Sequence, residues 1–339
     1  MGDALLQIED LHTTFYTRDG LVRAVDGVSI EIEAGESVGI VGESGCGKSM
    51  TAMSLMGLLK KPGKVDGGSI VFDGQELLAM TAKDRRKLMG NRISMIFQEP
   101  MTSLNPVITV GRQVREALLL HNKGMSRSQA KERVIQMFQL VGIPDAPKRY
   151  GEYPHQLSGG LRQRVMIAMA MVCDPGLLIA DEPTTALDVT IQSQIVDLIK
   201  ELQREKGTSV ILITHDLGVV ANIAHRIVVM YSGKIVERGS NMSIFHSPRH
   251  PYTNALLEAV PRLDLVNKQV LSSIEGTPPD LLNPPAGCPF CTRCKYCMEI
   301  CCTEEPPAAA FEEGHEASCW LYALAGRCED APFTWEDRK

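Results

Sequence analysis

At 339 residues the chain is long enough for two domains and a substantial buried core. Its 35 Lys and Arg against 41 Asp and Glu leave a formal charge of −6, the wrong balance for a general nucleic-acid binder, which needs a basic footprint. No apolar run reaches the roughly 18 residues required to span a bilayer. The start, MGDALLQIEDLH, lacks the basic and apolar regions of a secretory signal, and Leu6 stands where a myristoylation signal after Gly2 requires Ser or Thr. Of ten cysteines, eight fall within residues 288–328. Without a secretory signal, that crowding points to a reducing, cytosolic setting and to metal ligation before disulfides.

In chain order, the first clear strand is SVGIV (Ser37–Val41), followed by a helix over Lys48–Leu59. Further short, branched, apolar runs at Ile93–Phe97, Leu177–Ala180 and Val210–Thr214 read as buried strands of a largely parallel sheet. Helices are expected over Ser126–Val141, Ser158–Cys173 and Ile191–Glu205. The alternation gives an α/β architecture, interrupted by a helical subdomain at residues 100–165. After Gly239 the composition turns Pro-rich (HSPRHPYT, TPPD, NPPAG), which places a boundary near residue 250. Residues 1–250 then form one domain and 251–339 a smaller module with little regular structure.

GESGCGKS (Gly42–Ser49) fits the phosphate-loop pattern and sits directly between an expected strand and an expected helix. Glycines 42, 45 and 47 let backbone N–H groups face phosphate oxygens; Lys48 reaches the β- and γ-phosphates and Ser49 ligates Mg²⁺. LLIADEP (177–183) ends a strand on two carboxylates, Asp181 for the magnesium shell and Glu182 for the attacking water. His215 closes another strand at the edge where ligands of open α/β sheets collect. LSGGL (157–161) adds a second anion site: Ser158 is an N-cap residue, and Gly159 and Gly160 expose helix N-terminal amides. Two such sites on one chain make sense if each binds an opposite end of a nucleotide shared by two protomers.

The set GESGCGKS, Gln98, LSGG, LLIADEP, ALD (186–188) and THD (214–216), in this order, resembles an ATP-binding cassette ATPase, which implies a P-loop NTPase nucleotide-binding domain. The resemblance implies that Phe15, with Tyr16 as neighbour, stacks on adenine, and that the run Gly42, Glu43, Ser44, Gly45, Cys46, Gly47, Lys48, Ser49 and Met50 binds ATP. It implies Ser49, Gln98 and Asp181 around Mg²⁺, Glu182 as general base and His215 as switch histidine. Ser158, Gly159, Gly160 and Asp188 would complete the opposite protomer's site. Leu161 departs from the Gln that many cassettes carry, and Cys46 from a common Ser.

FQEPMTSLNP, YPHQLSGG, IADEPTTALDVTIQ, ITHDLGVVA, HPYT and NPPAGCPF narrow the resemblance to dipeptide and oligopeptide import ATPases, a branch that includes nickel importers. That implies two transmembrane permease subunits, an extracytoplasmic peptide-binding protein, a second and often non-identical cassette ATPase, and a peripheral place on the cytoplasmic face of the membrane. MTSLNP and the helical insert would meet the permeases. The alternative is a soluble iron–sulfur cassette ATPase acting on ribosomes or nucleic acid. One cassette, a C-terminal cysteine cluster and the absence of a basic patch count against it.

For the cysteines, spacing leaves two sets open. Cys291, Cys294, Cys297 and Cys301 match the bacterial ferredoxin spacing. Cys288, Cys294, Cys301 and Cys319 match the residues that import ATPases of this kind use for a [4Fe–4S] cluster. Zinc is the competing metal, since four cysteines are a usual structural zinc set.

Overall fold

The computed structural model describes residues 4–98, 103–184, 188–260 and 274–323. Parts of the Gln98 and ALD motifs (99–102 and 185–187) and Cys328 lie outside them. In chain order the strands are β1 (Leu6–Tyr16), β2 (Leu21–Ile32), β3 (Ser37–Val41), β4 (Gly63–Phe72), β5 (Gln75–Glu76), β6 (Ile93–Ile96), β7 (Leu177–Asp181), β8 (Ser209–Thr214), β9 (Arg226–Tyr231), β10 (Lys234–Ser240), β11 (Ala308–Ala310) and β12 (Glu316–Ser318). The chain forms two compact units.

The first unit comprises Met1–Leu5, Ile32–Ser37 and Asp73–Ile213. Here β6, β7 and β8 run parallel, with Ile93 opposite Leu177 and Leu177 opposite Ser209. Every residue of these strands is buried, which is why they read as continuous apolar runs without alternation. Helices α3 (Val110–His121) and α4 (Arg127–Leu140) are numbered after α1 (Lys48–Met56) and α2 (Ala82–Leu88). The α4 N-terminus is a capping box: Gln129 N donates to Ser126 Oγ while Gln129 Oε1 accepts from Ser126 N. Val114 and Leu118 on α3, with Val134, Met137 and Phe138 on α4, supply buried faces at helical spacing. Helix α5 (Gly159–Met171) starts at the LSGG motif and α6 (Val189–Lys206) starts after Asp188.

The second unit comprises Leu6–Glu31, Val38–Phe72 and Thr214–Lys339. In it β3 pairs parallel with β9, β9 antiparallel with β10, β10 with β12 and β12 with β11. In a separate layer β1 lies between β2 and β4 and pairs antiparallel with β4, Leu6 opposite Phe72. Neither this layer nor β11 and β12 is legible in the sequence. In β1 the period-2 pattern slips between Glu9 and His12, where Asp10 takes φ 46°, so no clean alternation marks the strand. AAA and EAS are too short and too poor in apolar residues to announce strands; they form because β10 offers an edge.

Helix α7 (Leu217–Ile223) begins at Asp216, whose carboxylate caps Gly218 N and Val219 N. Helices α8 (Asn241–His246) and α9 (Pro251–Glu258) follow β10. Among the described residues no helix is long and apolar enough to cross a membrane.

Candidate active site

The phosphate-loop half belongs to the second unit. Fully buried β3 delivers the chain into Gly42–Ser49, and α1 starts at Lys48. Gly42 has φ 151°, and a side chain there would bring its Cβ to 2.2 Å from Met230 O and 2.8 Å from Cys46 Sγ. Only glycine lets the loop turn this tightly. The Lys48 side chain folds back over the loop, donating from Nζ to Gly42 O at 2.7 Å and to Glu43 O at 2.9 Å. Thr51 anchors the first helical turn through N and Oγ1 to Gly47 O. Cys46 is packed and buried, and burial pushes its thiol above its ordinary value, outweighing the nearby Lys48 charge.

Phe15, half-buried on β1, lays its ring against Gly63, where a Cβ would fall 2.7 Å from the ring. Tyr16 is the more exposed of the two at 49 %. His215 is exposed immediately after β8, and Ser49 is partly exposed in the first turn of α1.

The carboxylate half belongs to the first unit. Asp181 is buried at the end of β7. Glu182 follows with φ 45°, an uncommon backbone for a non-glycine residue, and its N–H donates to Ile213 O at 2.8 Å. Gln98, exposed just past β6, donates from Nε2 to Glu182 Oε2 at 2.8 Å. The structure thus joins two of the expected site residues directly. Ser158 caps α5 by accepting from Leu161 N, and Ser158 and Gly159 are exposed. Asp188 caps α6, accepting from Ile191 N at 2.9 Å. Gln163, which sequence analysis passes over, is buried on α5 and donates to Pro183 O at 2.6 Å. It ties the LSGG helix to the turn carrying Glu182.

The cysteine segment closes on itself inside the second unit. Cys288 N donates to Cys301 O at 2.8 Å, and Gly287 allows that approach, since a Cβ there would lie 2.4 Å from the same oxygen. One pocket is lined by Cys288, Cys291, Cys294, Cys301 and Cys319 together with His250, Phe290 and Trp320. Cys297 and Cys302 are exposed and face each other, Sγ to Sγ, at 3.9 Å. Burial, reinforced by mutual charge, pushes the Cys288 and Cys319 thiols up to about 12. Among the described residues no group of three or more His, Cys, Asp or Glu side chains converges closely enough to hold a metal ion. His250 Nε2 is buried without a hydrogen-bond partner among the described residues.

Behind the pocket, Glu237 on β10 is fully buried and accepts from Arg249 N (2.6 Å), His250 N (2.9 Å) and His315 Nε2 (2.7 Å). Its carboxylate therefore organises the HPYT motif and the segment leading to Cys319. Neither Glu237 nor Arg293, which pairs with Glu43, carries a sequence signal of its own role.

A phosphate loop on an α/β scaffold, with a Gln–Glu pair at the strand ends and a capped LSGG helix, defines an ATP-binding cassette. Comparison with known proteins agrees: the ABC transporter family model matches residues 25–185, and the model of the oligopeptide/dipeptide transporter C-terminal region matches residues 236–301. The chain is 54 % identical to the dipeptide transport ATP-binding protein DppD of Bacillus subtilis, covering 94 % of this chain and 95 % of that one. It is 52 % identical to the oligopeptide transport ATP-binding protein OppD of Escherichia coli, with 94 % of each covered. Among solved structures, the dimeric bacterial ABC transporter cassette MJ0796 matches with a TM-score of 0.63 and 28 % identity, over 70 % of this chain and 98 % of that one. The chain belongs to the ABC transporter family, as an ATP-hydrolysing subunit.

Proposed function

We propose that this chain is the ATP-hydrolysing, energy-coupling subunit of an importer of dipeptides or oligopeptides, working on the cytoplasmic face of the membrane. The observation that carries the reading is that one chain joins a phosphate loop and a Gln98–Glu182 pair to the oligopeptide/dipeptide C-terminal region. Its partners would be two transmembrane permeases, an extracytoplasmic peptide-binding protein and a second cassette, which the exposed Ser158 and Gly159 suit.

In this reading Lys48 and the loop N–H groups hold the β- and γ-phosphates, and Phe15 receives the adenine. Bound Mg²⁺ would neutralise charge developing on the phosphates, held through Ser49, Asp181 and Gln98. Glu182 takes the proton of the attacking water, oriented by Gln98 Nε2, and His215 senses the γ-phosphate. Ser158, Gly159, Gly160 and Asp188 meet the nucleotide of the partner cassette. ATP binding closes the pair of cassettes; hydrolysis and phosphate release open it.

The cysteine pocket suits a sulfur-bound group. Its donors are thiols, and the unpartnered His250 Nε2 lining it is a donor awaiting an acceptor. Thiol donors suit either a structural zinc ion or a [4Fe–4S] cluster, and the resemblance to import ATPases speaks for the cluster. We therefore favour a cluster on Cys288, Cys294, Cys301 and Cys319; exposed Cys297 speaks against the ferredoxin-spaced set. The group would contribute folding energy to a segment with few large apolar residues.

The test is co-purification and reconstitution. Permeases that come with the chain, and ATP hydrolysis stimulated by peptide and the binding protein in vesicles, would support the reading. Recovery with ribosomes or nucleic acid, and indifference to peptide, would overturn it.

A further inference from the structure

Arg293 lies between Cys291 and Cys294, at the end of the 3-10 turn Cys291–Arg293, yet its side chain reaches into the phosphate loop. The side chain is only 3 % exposed and the Glu43 side chain 27 %. Its Nη1 donates to Glu43 Oε2 at 2.6 Å and to Tyr231 Oη at 3.2 Å. Its Nη2 donates to Glu43 Oε1 at 3.0 Å and to Ile274 O at 3.1 Å, and Nε donates to Glu275 O at 3.0 Å. The donors of the guanidinium are thus all engaged, with the fork closed on one carboxylate. The rings of Tyr231 and Phe290 stand 5.9 Å from it, so the pair is sheltered from water on the aromatic side.

Glu43 is the junction of three restraints on the loop. Its carboxylate meets Arg293, its N–H donates to Tyr252 Oη at 2.8 Å, and its carbonyl accepts from Lys48 Nζ at 2.9 Å. Lys48 is the residue that the functional reading gives to the phosphates.

We propose that Arg293 is a positioning residue for ATP: by holding Glu43 it sets the loop carbonyl that steers Lys48, and it neutralises a carboxylate that would otherwise repel the phosphates. A surface ion pair would contribute little; this one is two-pronged and mostly buried, so both its direction and its charge matter. The consequence is that the cysteine-bearing segment and the nucleotide loop are mechanically one piece. Whatever fixes the backbone around Cys291 and Cys294 also fixes Glu43. The inference rests on the reading of Gly42–Ser49 as the phosphate site.

The test is equilibrium titration of the full chain with MgATP, together with steady-state kinetics and thermal melting. Arg293→Ala is expected to raise the MgATP Kd roughly tenfold, the scale of one lost charge-assisted interaction, while kcat at saturation stays within about threefold. Arg293→Lys, which keeps the charge but not the fork, should fall between. Adding Glu43→Gln to Arg293→Ala should recover part of the lost affinity, because the unneutralised carboxylate is gone. That recovery is a readout that a merely structural role would not produce. If Arg293→Ala does not fold, Arg293→Lys carries the test alone, with a several-fold weaker Kd. Normal MgATP binding by the wild-type chain with an unchanged Kd in these variants, or a change in melting temperature only, overturns the proposal by itself. A wild-type chain that does not bind MgATP overturns the phosphate-site reading and the proposal together.

Discussion

Gln98 Nε2 and Glu182 Oε2 stand 2.8 Å apart, so the amide that follows β6 orients the carboxylate that follows β7. Because β6 and β7 are adjacent parallel strands, the pair is set by sheet register and not by loop chance. Glu182→Gln removes the carboxylate proposed to take the proton of the attacking water while keeping the size of the side chain. Steady-state phosphate release is expected to fall by at least about 100-fold, the typical contribution of general base catalysis, with MgATP still bound. Unchanged turnover would remove Glu182 from that role.

Glu237 offers a stability test away from the nucleotide. Its buried carboxylate serves two backbone N–H groups and His315 at once. Glu237→Ala leaves all three without their acceptor and is expected to cost about 3–5 kcal/mol. Glu237→Gln, retaining one acceptor oxygen, should cost less. Denaturant unfolding of the full chain measures both, and equal melting of wild type and Glu237→Ala would refute the account.

Acid should loosen the same region through His250. Burial lowers its imidazole from the ordinary 6.5 to about 3 in the folded chain. Between those values the unfolded chain binds the proton and the folded one does not, so stability falls as pH drops from 6.5 toward 3. His250 Nδ1 also caps Tyr252 N at 3.1 Å. His250→Asn keeps a capping acceptor and removes the titration. Its melting temperature should fall less steeply between pH 7 and pH 5 than that of the wild type; parallel slopes would exclude His250 as the source.

The cysteines separate into pocket and surface sets. In anaerobically purified protein, iron and sulfide are expected to survive the paired Cys297→Ser and Cys302→Ser replacement. They should be lost on replacing Cys288, Cys294, Cys301 or Cys319 singly. Stoichiometric zinc without iron in the wild type would sink the cluster assignment.

Much of the nucleotide half was legible because its elements are local. SVGIV, the glycines of GESGCGKS and the helix after Lys48 are contiguous, and the observed strand Ser37–Val41 matches the expected one residue for residue. The helices from Arg127, Gly159 and Val189 begin within two residues of the expected starts, each beside a capping Ser or Asp. The antiparallel layer was not legible, because the slip at Glu9–His12 in β1 erases the alternation that would have marked it.

By itself the amino-acid order determined the strand, the glycine-rich turn and the helix of Ser37–Met56, since turns, caps and buried strand runs depend on neighbours a few residues apart. Only the tertiary structure decided what the cysteine segment touches. Arg293 meets Glu43 from 250 positions away, and His315 meets Glu237 from 78. No periodicity encodes a pairing at that separation: it exists because the chain is brought back on itself, and burial then requires each charge to find a partner.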